Sequence, residues 1–304
     1  MAALAIGAPW LAPNDPDLRF PGHNYAPPST IHYPGVIHAV RSVSRLERTF
    51  ATDESVRVSL RWFANGRLVT TEGEPLLLLG ADAYGRDIFA RILYGARVSL
   101  ALALVATVGA LLLGSLVGAI AGYAGGRLDE LLSRLSDFVL VLPAMYVVLA
   151  LRAVLPLVLP APLVFGMMAT IFTLIGWPVV ARGVRGIIAS ERQRDYVAAG
   201  RAIGAGPARL LLAHLLPAAR GHMLAQATLL LPAFILAEAT LSYVGLGFPD
   251  SVPTWGTMLY DAANGALFTE SPWMLAPAAA IFIVVLAVNL TVQGTGRTPV
   301  QLEP

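Results

Sequence analysis

Arg194, Asp195 and Arg201 cluster around the small residues Ala198, Ala199 and Gly200, and Gly204, Leu216 and Pro217 follow further along. Charges beside side chains too small to hold a neighbour off suit a surface on which another protein docks closely, or an amphipathic hairpin that anchors the fold. They do not suggest a reaction centre. The ingredients of catalysis are scarce elsewhere. His23, His32, His38, His214 and His222 show no paired ligand spacing. There is no Cys, which excludes disulfides and thiolate metal sites. Every basic residue is Arg, so no Gly-x-x-x-x-Gly-Lys phosphate loop exists and the chain cannot hydrolyse ATP by that route. Glu238 stands inside an apolar stretch. An ionisable group there is either functional or a structural acceptor, with Ser242 one turn on as a candidate partner.

These residues need elements to position them. The chain has 304 residues, 56% hydrophobic and 13% charged, against about 25% charged in a typical soluble domain. That balance indicates an integral membrane protein, and a net charge of +2 gives nucleic-acid binding no support. Five stretches are long enough to span: 98–123, 138–159, 163–180, 223–246 and 274–292. Gly114 and Gly118 in the first form a small-xxx-small pair, read as ordinary helix packing.

Arg counts orient the spans. Arg182, Arg185, Arg192, Arg194, Arg201, Arg209 and Arg220 lie between the third and fourth, and Arg127 and Arg134 between the first and second. These loops face the cytoplasm. The loop after the fourth span carries Asp250, Asp261 and Glu270 without Arg and faces outward. Asp137 is expected to cap the second span at its cytoplasmic end, and Arg152 to snorkel at the outer end. Residues 1–12 read as the outer end of a truncated first span whose remainder lies upstream of Met1. Residues 13–97 are then extracytoplasmic, 98–292 the transmembrane domain and 293–304 a cytoplasmic tail. Val56, Val58 and Leu60 alternate with polar residues ahead of Asn65-Gly66, predicting a small β-hairpin over about 55–71. Within the loop at 187–217, residues 187–202 read as one helix, broken at Gly204-Ala205-Gly206. Pro207 opens a second helix, which Pro217 closes.

The loop also resembles the cytoplasmic coupling loop of ABC importer permeases. That pattern is Glu-Ala-Ala, three residues, Gly, nine residues, an apolar residue, any residue, Leu-Pro. Ala198-Ala199-Gly200, Gly204 and Leu216-Pro217 fall at its spacing, with Ala198 in place of Glu and His214 in place of the apolar residue. Gly80, Asp82, Gly85, Arg86 and Asp87 resemble the Gly-Thr-Asp-x-x-Gly-Arg-Asp motif ahead of the second span in C-type dipeptide and oligopeptide permeases, with Ala81 for Thr. Residues 237–247 and 253–259 continue that similarity and mark the peptide/nickel branch. The family's Gly-Asp-x-x-Arg-Asp tail is absent after Asn289.

The resemblance implies an all-α fold of the type I ABC importer class and a transmembrane permease subunit that is not itself an enzyme. It implies a B-type permease partner, two ATPase subunits that bind ATP and Mg, and an extracytoplasmic substrate-binding protein, with no cofactor in this chain. Dipeptides or oligopeptides are the implied cargo, moved by alternating access. Nickel or another small solute is the alternative within the family. A proton-coupled secondary transporter and a non-transporting scaffold are the alternatives outside it. Arg194, Asp195 and Arg201 become the candidate ATPase contacts, since the family's Glu is missing.

Overall fold

The computed structural model describes residues 5–33, 35–44, 48–143, 146–147, 150, 159–262 and 270–295. Four of its helices are long and apolar enough to cross a membrane: Ile88–Ala124, Ala161–Glu191, Arg220–Tyr243 and Pro272–Leu290. The expected span at 138–159, with Arg152, falls largely outside the described residues. So does the tail at 296–304. The chain divides into two compact units.

The first unit comprises 1–101 and 235–286. It begins with a one-turn helix α1 (Ala8–Leu11). Ala8 and Ala12 pack on Ala90 and Leu93 at the start of helix α2 (Ile88–Ala124). Then come β1 (Ile31–His32), β2 (Val36–Ser44) and β3 (Thr49–Ser59), an antiparallel sheet in the order β1-β2-β3. The strand containing Val56 and Val58 therefore pairs upstream, with Ile37 opposite Val58, and not across Asn65-Gly66 as the sequence suggests. The physical reason is burial. Ile37 joins Val69 and Leu76 in a small core, against which Val58 and Leu60 pack. What remains of the expected hairpin is β4 (Arg61–Trp62) against β5 (Val69–Thr70). Asn65 and Gly66 do turn the chain between them, both with positive φ (54° and 71°).

The second unit comprises 102–234 and 287–304. It holds the rest of α2, then α3 (Gly126–Val141) and α4 (Ala161–Glu191). The Gly stripe of α2 lies against α4 of the same chain. A Cβ on Gly118 would stand 2.4 Å from the Ala181 carbonyl oxygen, so only glycine permits this approach. Helix α3 starts much earlier than the expected second span. Gly125 and Gly126 both take positive φ (69° and 59°) and set the break there, leaving Asp129 in the first turn. Asp137 is consequently inside the helix and caps nothing.

Candidate functional site

The loop after α4 is not one helix over 187–202. Helix α4 runs to Glu191, and Arg194 takes an extended conformation that starts a new helix, α5 (Asp195–Ala202). Asp195 occupies its first turn and Arg201 its last, each matching the helix dipole. Gly204 ends it with φ +85°. Pro207 opens α6 (Pro207–Leu210), as its missing N–H costs nothing in a first turn. A π-turn follows at Leu211–Leu215, then α7 (Leu216–Ala218) and the long α8 (Arg220–Tyr243). Pro217 thus sits inside α7 and does not close the segment. The turn before it is wide: the Leu216 N–H reaches back to the Leu211 carbonyl, and Pro217, next along, has no N–H to donate.

Three side chains hold this segment down. Val197, Leu210 and Leu215 are buried with Val180, Val184 and Ile188. Gly200 lets α6 fold back, since a Cβ there would lie 2.9 Å from Leu210 Cδ2. Arg192 donates to the Tyr123 carbonyl at 2.7 Å, and the Arg201 guanidinium lies over the Tyr123 ring. The other side faces solvent. Arg194, Asp195, Ala198, Ala199, Arg201, Gly204 and Pro217 are exposed, whereas Gly200 and Leu216 are half-buried. Ile203 is 87% exposed and Leu212 68%. Apolar side chains thus stand out among the charges on this side.

The motif ahead of α2 builds something different. Asp82 is buried and accepts from the Tyr84 and Arg86 N–H groups at 2.8 and 2.9 Å and from Arg86 Nε at 2.6 Å. Buried Arg86 continues to Asp250 at 3.1 and 3.2 Å and to Asp261 at 3.1 Å. Arg91, fully buried, donates to the Asp250 carbonyl at 3.3 Å. Asp87 caps α2 by accepting the Phe89 N–H at 2.9 Å, and also accepts from Asn14 at 2.8 Å. Burial pushes the Asp87 carboxyl up to about 6. Burial, with Asp250 and Asp82 nearby, does the same to Asp261. Gly80 and Gly85 take positive φ (75° each) and serve the tight loop. This ionic network ties 80–91 to 250–261, with Asp82, Arg86 and Arg91 buried and Asp250 exposed at its edge. Sequence reading missed Arg91, Asn14 and the Asp250–Asp261 end of it. An Arg at the entry of an apolar helix was the available signal.

Glu238 is fully buried. It accepts from Ser99 Oγ and Ser242 Oγ, each at 2.8 Å. Ser99 Oγ also receives the Trp255 N–H at 3.4 Å. Among the described residues, no group of three or more His, Asp or Glu could hold a metal ion.

One cavity of about 360 Å³ opens in the second unit, bounded by α2, α3 and α4. Its charged wall carries Arg182, Arg185 and Asp137, and each arginine is ion-paired. Arg185 grips Asp129 with two bonds, one of them 2.7 Å, and this holds the Asp129 carboxyl below the usual carboxylate range. Arg182 meets Asp137 once, at 2.6 Å. Sequence reading saw these arginines only as orienting charges, because their partners lie far away along the chain.

Long apolar helices joined by an exposed, Gly-broken basic segment define a multi-span membrane protein. Residues 110–295 match the family model described as "Binding-protein-dependent transport system inner membrane component". The chain belongs to this family of inner-membrane permease components. It is 38% identical over 71% of its length to the oligopeptide transport system permease protein OppC of Bacillus subtilis (strain 168), covering 68% of that protein. It is 32% identical over 95% of its length to the di/tripeptide transport system permease protein DppC of Pseudomonas aeruginosa (strain UCBPP-PA14), covering 80% of it. The fold is that of type I ABC importer permeases. An inward-facing MetNI methionine ABC transporter structure aligns at TM-score 0.51 and 18% identity over 68% of this chain and 95% of that one.

Proposed function

We propose that this chain is the C-type permease subunit of an ATP-driven importer of dipeptides and oligopeptides. The relatives at 32–38% identity are named as peptide permeases, which supports the cargo class. The observation that carries the mechanism is the segment from α5 to α7, clamped from below by Val197, Leu210 and Leu215 and open to solvent above. An ATPase subunit docks there. Arg194, Asp195 and Arg201 supply charge-assisted contacts where Ala198 offers none. ATP, with Mg, is bound and hydrolysed in two such partner subunits, and this chain adds no catalytic group. A B-type permease completes the pathway, and an extracytoplasmic binding protein delivers the peptide. Closure of the ATPases pushes the segment, and α4 and α8, covalently continuous with it, carry the motion into the membrane. In this reading Glu238 is a structural acceptor, because its bonds go to Ser99 and Ser242.

The test is ATP hydrolysis by the reconstituted complex, with and without binding protein and peptide, comparing wild type with Gly204→Pro. Peptide-stimulated hydrolysis lost in the variant while the subunits still assemble is the expected result. Hydrolysis indifferent to peptide but raised by nickel or another solute would replace the cargo. Hydrolysis indifferent to the substitution would reduce the segment to an anchor.

A further inference from the structure

The cavity in the second unit has a charge arrangement that packing does not explain. Its floor is made of small residues, Gly118 and Ala121 from α2 and Ala181 from α4. Its rim carries Arg182 and Arg185 on α4 opposite Asp137 on α3, and Arg185 is paired with Asp129, which lies outside the lining. The two pairs differ. Arg185–Asp129 is bidentate, Ser133 Oγ adds a 3.3 Å bond to the carboxylate, and Asp129 is 20% exposed. Arg182–Asp137 is a single contact between side chains that are 61% and 62% exposed. An exposed single contact contributes little to stability, so solvent or a ligand opens it readily. The first pair is scaffold and the second is exchangeable.

Charge complementarity selects the occupant. With the Arg185 charge matched by Asp129, the exchangeable charges at the cavity are Arg182 and Asp137, one of each sign. A phosphate or carboxylate alone would leave Asp137 unpaired, and a cation alone would leave Arg182 unpaired. A zwitterion offers each wall its opposite. The volume is that of a small-ligand site.

We infer that this cavity is a transient binding site for the termini of the transported peptide. The Arg182 guanidinium takes the C-terminal carboxylate, and the Asp137 carboxylate takes the N-terminal ammonium. A short side chain rests on the Gly118–Ala121–Ala181 floor. The inference rests on the peptide-import reading and deepens it. It places a binding step inside the permease, on the helix α4 that leads into the docking segment.

The test uses the permease–ATPase complex in nanodiscs without binding protein, and radiolabelled dialanine as probe. Wild type binds it saturably. Asp137→Asn and Arg182→Gln each weaken binding about tenfold, the scale of one charge-assisted bond. Capping the dialanine N-terminus with acetyl weakens binding to wild type by a similar factor but adds little loss to Asp137→Asn. Amidating the C-terminus does the same with Arg182→Gln, since a shared contact can be lost only once. Arg134→Gln, which opens an exposed pair with Glu130 on α3, leaves binding unchanged. No saturable binding to wild type, or losses that simply add, would overturn the site. So would co-purified phosphatidylethanolamine that both variants lose while dialanine fails to bind, which would assign the cavity to a lipid headgroup. Dialanine import by wild-type proteoliposomes is measured alongside. Its absence sinks the transport reading, whereas the binding data decide the cavity by themselves.

Discussion

Arg86 in the first unit and Arg182 in the second both face aspartates, on opposite terms. Arg86 is 2% exposed and bonds to Asp82, Asp250 and Asp261 together. Arg182 is mostly exposed and bonds to Asp137 alone. A buried charge stranded without its partners costs several kcal/mol, so the first arrangement is fixed wherever the chain is folded. An exposed pair has no such penalty and exchanges freely. The first unit thus uses charge to hold shape. In the second unit the backbone contact of Gly118 on Ala181 and the Arg185–Asp129 pair hold shape, while the Arg182–Asp137 pair stays exposed.

The largest expected effect tests the fixed half of this contrast. Arg86→Gln takes from buried Asp82 its closest cation and destabilises the protein by about 3–5 kcal/mol. Chemical unfolding of the solubilised protein would read this, and a loss under 1 kcal/mol would contradict a structural network. Gly118→Leu drives a side chain into the Ala181 backbone, and we expect a loss of about 1–3 kcal/mol by the same assay. An unchanged transition would mean that α2 and α4 are held by something other than that contact.

A third effect is pH-dependent and smaller. The folded carboxyls of Asp87 and Asp261 titrate near 6, above their ordinary 3.8, so folding favours their protonated forms. The stability they contribute is full below about pH 4 and is lost as pH rises through 6. Asp261→Asn removes one share of this dependence. Its stability relative to wild type should therefore rise by about 1–2 kcal/mol between pH 4.5 and pH 7.5. A gap that narrows over that range would reverse the sign. Smallest of all, Arg182→Gln should change stability by about 0–1 kcal/mol. If it proves as damaging as Arg86→Gln, the contrast between the two units disappears.

Much of this was legible in the sequence, for identifiable reasons. Long apolar runs mark the four described spans, because a helix in lipid must be apolar along its length. Gly204 and Pro207 announced the break between α5 and α6, since each has one strong backbone preference. The break at Arg192–Arg194 carried no such marker, which is why 187–202 read as one helix. The alternation at Val56 and Val58 identified a strand but not its neighbour. A period of two says which face is apolar, and Ile37, far upstream, supplied the partner. The ion pairs were invisible for the same reason. Arg185 finds Asp129 and Arg86 finds Asp250 only after the helices pack.

The π-turn at Leu211–Leu215 stores one residue more than an ordinary turn. In an α-helix each residue advances about 100° around the axis. If the wide turn slides by one position along the chain, the residue it passes swings by about that angle while the segment hardly lengthens. A force on this segment therefore twists the lead into α8 as well as pushing it. The segment has a phase as well as a position, and its proline sets where that phase begins.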